Sequence, residues 1–203
     1  MQHVSRRDLP AWFAVLGPPL VVGAIVFGCG GTASRARTAS TGTSSTTRSA
    51  ATTTLGKDVV VTEHSFRSLR VMTPIRGFFV DNLLGDLPAS VAVANSRDGG
   101  MYPPGTVLQL VPQEAMVKHR AGWSPKTNDW EFFFLDVSAT GTKIVHRGTM
   151  QVVNRFGGNC ASCHSAAAAK FDFVCEHDHG CAPLPVSDDI IRAIQLADPR
   201  PQP

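Results

Sequence analysis

Cys160-Ala161-Ser162-Cys163-His164 gathers two thiols and an imidazole within five residues. Thiols separated by two residues can each form a thioether with one vinyl group of a single porphyrin, and a histidine directly after the second falls beneath the ring, where it ligates the iron. The pattern therefore predicts one covalent haem c, held by Cys160 and Cys163, with His164 as proximal iron ligand. Cys-x-x-Cys alone also serves thioredoxin-like redox centres and half of many zinc sites. The adjacent histidine and the export features at the N-terminus weigh the pattern toward haem. A haem-free module in which Cys160 and Cys163 form a disulfide, or bind a metal, stands as an alternative.

Cys175-Glu176-His177-Asp178-His179-Gly180-Cys181 is a second loop rich in donors. Zinc suits its residue types, but four donors this close on one short loop have difficulty surrounding an ion tetrahedrally. In an oxidising compartment a Cys175–Cys181 disulfide is the simpler reading. The five cysteines of the chain then divide completely: Cys29 for lipid, Cys160 and Cys163 for haem, Cys175 and Cys181 for each other.

The export features lie in residues 1–29. Arg6 and Arg7 form a charged start, an apolar run reaches Phe27, and Gly28-Cys29-Gly30 supplies small residues around a cysteine, which is the anatomy of a signal peptide. Val26-Phe27-Gly28-Cys29 has the form of a lipobox, with Cys29 as the lipidated N-terminus of the mature chain, although Phe27 is bulky for that pattern. An uncleaved anchor helix is the competing reading, and Gly17, Pro18 and Pro19 in mid-run oppose it. Ser5-Arg6-Arg7-Asp8-Leu9 has a twin-arginine look, but that route carries folded cargo, so the arginines read as an ordinary positive start. The product is expected outside the cytoplasm, on the periplasmic or cell-surface side, held to the membrane by lipid.

Residues 30–56 are Ser, Thr, Ala and Gly with scattered Arg, too poor in apolar surface to offset their ordering entropy, and read as a flexible tether. Residues 57–203 are left as one domain of ordinary size. With 19 basic and 16 acidic residues the net charge of +3 gives no reason to expect a nucleic acid partner.

The elements that must position the motif read as mostly strands. Residues 58–72 allow an amphipathic helix, and residues 76–84 a second helical piece. Val91 to Ala94 reads as a short strand ending at the Asp98-Gly99-Gly100 turn, and Thr106 to Val111 as another after Tyr102-Pro103-Pro104-Gly105. Trp130 to Val137 is the strongest: Trp130, Phe132 and Phe134 share one face, and Phe133, Leu135 and Val137 the other. Lys143 to Arg147 pairs after the Thr140-Gly141-Thr142 turn, and residues 150–153 extend the pairing. Gly157-Gly158-Asn159 precedes a short helix opened by the motif, and Ser187-Asp188-Asp189 starts a packing helix that Asp198-Pro199 stops.

Several of these stretches resemble the cytochrome P460 and cytochrome c′-beta family of exported haem proteins. Tyr102-Pro103-Pro104-Gly105-Thr106-Val107, Gly122-Trp123-Ser124-Pro125, Asp129-Trp130-Glu131-Phe132, and Cys160 to Ser165 followed by Asp172-Phe173-Val174 are similar to segments of that family, over roughly residues 68–174. The resemblance implies an α+β fold, an antiparallel β-sheet core with flanking helices and haem c attached near the C-terminus, often as a homodimer. It also implies an open distal side of the iron. One branch of the family crosslinks a lysine to the porphyrin and oxidises hydroxylamine with help from a distal carboxylate. The other caps an apolar pocket with aromatic residues and binds nitric oxide.

Function therefore turns on what lies opposite His164. Met101, Met116, Met150, His119 and His146 are formal candidates for a sixth ligand, each more readily explained as core or surface. Of the five lysines, Lys57, Lys118, Lys126, Lys143 and Lys170, Lys118 is the candidate for a crosslink, with a solvated lysine as the plainer reading. Phe132, Phe133 and Phe134 are candidates for an apolar cap, and Glu131 and Asp129 for a proton acceptor, although strand core, strand edge and turn account for them more readily. The leading expectation is an exported haem protein that binds a small ligand such as nitric oxide or passes single electrons to a redox partner protein. A hydroxylamine-type oxidoreductase is the enzymatic alternative.

Overall fold

The computed structural model describes residue 56 and residues 58–202; the signal-like stretch with Cys29, nearly all of the tether and Lys57 lie outside the described residues. Six strands form one antiparallel sheet in chain order: β1 (Thr73–Ile75), β2 (Phe78–Asn82), β3 (Thr106–Gln109), β4 (Glu114–Lys118), β5 (Trp130–Ser138) and β6 (Gly141–Gly148). Helix α1 (Leu87–Asn95) joins β2 to β3, while α2 (Cys160–His164) and α3 (Asp188–Leu196) follow the sheet. The fold is α+β, an antiparallel sheet with a few helices. No helix among the described residues is long and apolar enough to cross a membrane.

Strand β5 explains how the two sides of the sheet are used. Trp130 and Phe132 lie in one buried cluster with Ile75, Val80, Leu108 and Met116, against which α1, the Cys160 turn and Val174 pack. Phe133 and Leu135 lie in the other, with Val107 and Val117 and the residues Val59, Val61, Phe66 and Leu69 that precede the sheet. The alternation expected for Trp130 to Val137 is thus the alternation observed, because successive side chains of a strand point to opposite faces. A bulge shifts the β5–β6 register after Phe134, so that His146 faces Phe134 while Ile144 faces Leu135. The extra residue, Val145, sends two residues that would share a face to opposite sides.

Four local expectations are corrected. Residues 76–84 hold strand β2, not a helix: Phe78 and Val80 join one cluster and Phe79 packs on the other, a period of two. Val91 to Ala94 lies within α1, not a strand, since a four-residue apolar run cannot separate strand from helix and Pro88 in the first turn favours a helix start. Residues 58–72 form no amphipathic α-helix; single 3₁₀ turns at Glu63–Ser65 and Leu69–Val71 interrupt an extended segment that lays Val59 and Val61 on the sheet. Beyond β6, Val153 makes one isolated bridge to Asn159 in place of a continued ladder. Strand β4 was hidden by its charged ends, Glu114 and Lys118.

The C-terminal segment is tied back to the start of the domain. Ser187 caps α3, and after it Asp198 accepts the Leu69 N–H at 2.8 Å and pairs with Arg200 at 2.8 Å. Arg200 also donates to the Phe66 carbonyl at 3.3 Å. Cys175 and Cys181 form the disulfide expected of them. Phe133 is 1 % exposed at the centre of the cluster that these segments cover. Phe133→Ala is expected to destabilise the domain by about 3–5 kcal/mol, because removed contacts and residual cavity add. A shift of the urea unfolding midpoint at unchanged slope checks this.

Candidate functional site

The motif folds as the single turn of α2, started by Asn159, whose side chain accepts the Ser162 N–H at 2.9 Å. Residues three and four apart share one side of a helix, so Cys160, Cys163 and His164 are brought to the same side. Both thiols are free: Cys163 is exposed and Cys160 half-buried against the cluster that contains Phe132. Burial, with the Glu114 carboxylate nearby, pushes the Cys160 thiol up to about 11.

The His164 ring is half-buried, its centroid 5.2 Å from that of Phe132. Its Nδ1 lies 2.7 Å from the Phe173 carbonyl oxygen. A carbonyl only accepts, so Nδ1 carries the proton and Nε2 of the neutral ring keeps a free lone pair. Burial, against the opposing effect of the Phe173 hydrogen bond, pushes the imidazole below its ordinary range and so favours the neutral ring. Two free thiols and a bare imidazole nitrogen on one helical turn are the donor set that a covalent haem requires. The Cys175–Cys181 disulfide borders the turn, with its sulfurs 3.6 and 3.9 Å from the Cys163 carbonyl oxygen.

Behind the Phe173 carbonyl lies a polar knot for which no single motif gave a signal. Asp172 is fully buried and accepts from the Tyr102 N–H at 2.8 Å, from Lys118 Nζ at 2.6 Å and from the Asn128 amide. Its carbonyl accepts the Trp130 indole N–H at 2.6 Å. Lys118 is 4 % exposed and also donates to the Asn128 carbonyl at 2.6 Å. Burial pushes Lys118 down and Asp172 up, and each is opposed by the other's charge. Lys118 is therefore a buried lysine with two acceptors, on the same side of β4 as Met116, not the solvated lysine of the plainer reading. Lys126, Lys143 and Lys170 are exposed.

Other candidates scatter. His119 binds Glu131 at 2.8 Å, on the side of β5 opposite Phe132, and its ring stacks on Trp123 at 3.9 Å. Met116 is core, whereas Met101, Met150 and His146 are exposed. Asp129 accepts the Gly122 and Ser124 N–H groups of its own turn. Phe132 alone of the Phe132–Phe134 run touches the His164 ring. Glu114 and Asp172 were missed as site neighbours; only the spacing of the Asp172-Phe173 pair after the motif pointed toward the second. The zinc reading of residues 175–181 is displaced by the disulfide, and among the described residues no cluster of three or more His, Cys, Asp and Glu is placed to hold a bare ion.

Glu131 serves stability and not the site. Burial pushes its carboxyl up, but hydrogen bonds from His119 and from Arg147, at 2.7 and 2.8 Å, outweigh burial and hold it below its ordinary value. A depressed folded pKa contributes stability that is present above the unfolded value of about 4.3 and is lost as pH falls through the folded value. Glu131→Gln is accordingly expected to remove part of the acid-side loss of stability, read from urea midpoints between about pH 3 and 7. Comparison of the chain with protein-family models, with curated proteins and with solved structures returns no match.

Proposed function

We propose that this chain is an exported c-type haem protein that binds a small ligand such as nitric oxide at the side of the iron opposite His164. The observation that carries the reading is the His164 Nδ1–H bond to the Phe173 carbonyl beside two free thiols, which leaves Nε2 bare and aimed by a fixed acceptor. Bound haem supplies an iron that takes a diatomic ligand and changes by one electron.

The chain's residues do the rest. Cys160 and Cys163 would hold the porphyrin, His164 would ligate the iron, and Phe132 with the apolar cluster around Cys160 would exclude water from the proximal side. An open sixth position is favoured because His119 is committed to Glu131 on the other side of the sheet, Met116 is packed in the core cluster beside Phe132, and Met101, Met150 and His146 have no buried setting comparable to that of His164. The antiparallel sheet with the motif near its C-terminal end is in keeping with the resemblance to the cytochrome P460 and c′-beta family. The Cys175–Cys181 disulfide supports an oxidising compartment, and Cys29 would supply a lipid anchor to the membrane.

Protein matured with a cytochrome c assembly system is expected to give the pyridine haemochrome spectrum of a haem with both vinyl groups saturated. Its ferrous spectrum is expected to shift on adding nitric oxide. Absence of covalent haem would sink the reading, and a six-coordinate iron insensitive to nitric oxide would replace ligand binding by electron transfer. Peptide mapping is expected to find Lys118 unmodified; a Lys118–porphyrin adduct would move the protein to the hydroxylamine-oxidising alternative.

A further inference from the structure

We propose that Asp172, held by Lys118, Asn128 and Trp130, is the positioning residue that sets the strength of His164 as an iron ligand, by clamping the Phe173 carbonyl against Nδ1. The inference rests on the haem reading for its consequence, but its geometry lies wholly within the chain.

Its starting point is strained backbone. Asp172 and Phe173 have φ of 52° and 64°, two successive residues in the left-handed region. Asparagine and aspartate visit that region at small cost, but a bulky residue such as phenylalanine does not, the penalty being about 1–2 kcal/mol per residue. Such conformations persist where surrounding contacts over-determine them, and they gather at functional positions. Here the contacts converge on one residue: the Asp172 carboxylate takes the Tyr102 N–H, Lys118 Nζ and the Asn128 amide, and its carbonyl takes the Trp130 indole. Lys118 and Trp130 are direct cross-strand partners on β4 and β5, so the knot is anchored to the end of that ladder.

The consequence of the strain is local. The left-handed turn at residues 172–173 leaves the Phe173 carbonyl 2.7 Å from His164 Nδ1. A hydrogen bond to the second nitrogen of a ligating imidazole fixes its tautomer and raises its basicity, and a more basic ligand favours the ferric ion. The Asp172 carboxylate bonds Tyr102, Lys118 and Asn128, and the His164 ring bonds the Phe173 carbonyl instead. Asp172 acts through one peptide group, and Lys118, Asn128 and Trp130 act through Asp172.

The test uses the full chain in two forms. In the Cys160→Ser/Cys163→Ser chain with ¹⁵N-labelled histidine, long-range proton–nitrogen correlation is expected to show His164 as the Nδ1–H tautomer. Asp172→Asn, which keeps the shape and tolerates the left-handed turn, and the milder Asn128→Gly, which suits φ of 50°, are each expected to give a mixture with the Nε2–H tautomer. In the haem-loaded chain the same substitutions are expected to raise the midpoint potential and lower the ferrous iron–histidine stretching frequency. Leu135→Ala, a destabilising change on the opposite face, is expected to move neither. Folded Asp172→Asn and Asn128→Gly proteins with an unchanged tautomer and an unchanged potential would overturn the proposal while leaving the haem reading intact. Failure of haem to attach would remove the haem reading and with it the effect on an iron ligand, and the tautomer measurement would then decide whether Asp172 holds the Phe173 carbonyl against Nδ1.

Discussion

The buried pair of Lys118 and Asp172 joins two parts of the chain that are 54 residues apart, the fourth strand of the sheet and the turn that follows the Cys160–His164 helix. Burying two charges is costly, and their attraction repays that cost only when the remaining donors and acceptors are also satisfied. That condition is met here: Lys118 has a second acceptor in the Asn128 carbonyl, and Asp172 has two further donors. No buried side-chain polar atom among the described residues lacks a partner. The short single-turn helix has little stability of its own, so its orientation depends on this tie and on the packing of Ala161 and Val174 against the sheet.

The sheet divides the domain's tasks between its faces. One face, through Val107, Val117, Phe133 and Leu135, is closed by the extended segment before β1, and the Asp198–Arg200 pair locks that cover at its end. The other carries α1, the cysteine-bearing turn and the Asp172 knot. The Glu131–His119–Arg147 network belongs to the first face, and its alternation with Phe132 along β5 explains why adjacent residues have unrelated roles. Gly99 shows how closely the knot side is packed: with φ of 81°, a Cβ there would lie 2.1 Å from the Lys170 carbonyl oxygen, so only glycine lets the α1–β3 loop meet the segment after α2.

The candidate site was legible in the chain to the extent that its members are neighbours in sequence. Cys160, Cys163 and His164 fall within one helical turn, and Cys175 and Cys181 within one loop, so short-range spacing was enough to mark them. Lys118 stood out among the lysines only as a crosslink candidate, with a solvated side chain as the plainer reading, because a solvated lysine and a buried one have the same letter. Its burial is a property of Trp130, Asn128 and Asp172 arriving around it. Glu131 carried a carboxylate suited to catalysis and proved to be tied to His119, just after β4, and to Arg147 on β6, a meeting that strand pairing creates.

Local pattern sufficed for β5, β6, α3 and the disulfide, where alternation, a capping serine or a spacing of six residues is itself the physical cause of the element. It failed for β2, for α1 and for the extended segment before β1, where short apolar runs are compatible with either period and the neighbouring strand or face makes the choice. The positive φ values at Asp172 and Phe173 lie beyond any such pattern. They exist because the sheet delivers Lys118 and Trp130 to the place where the chain passes behind His164, and that meeting of distant residues is a matter of tertiary structure alone.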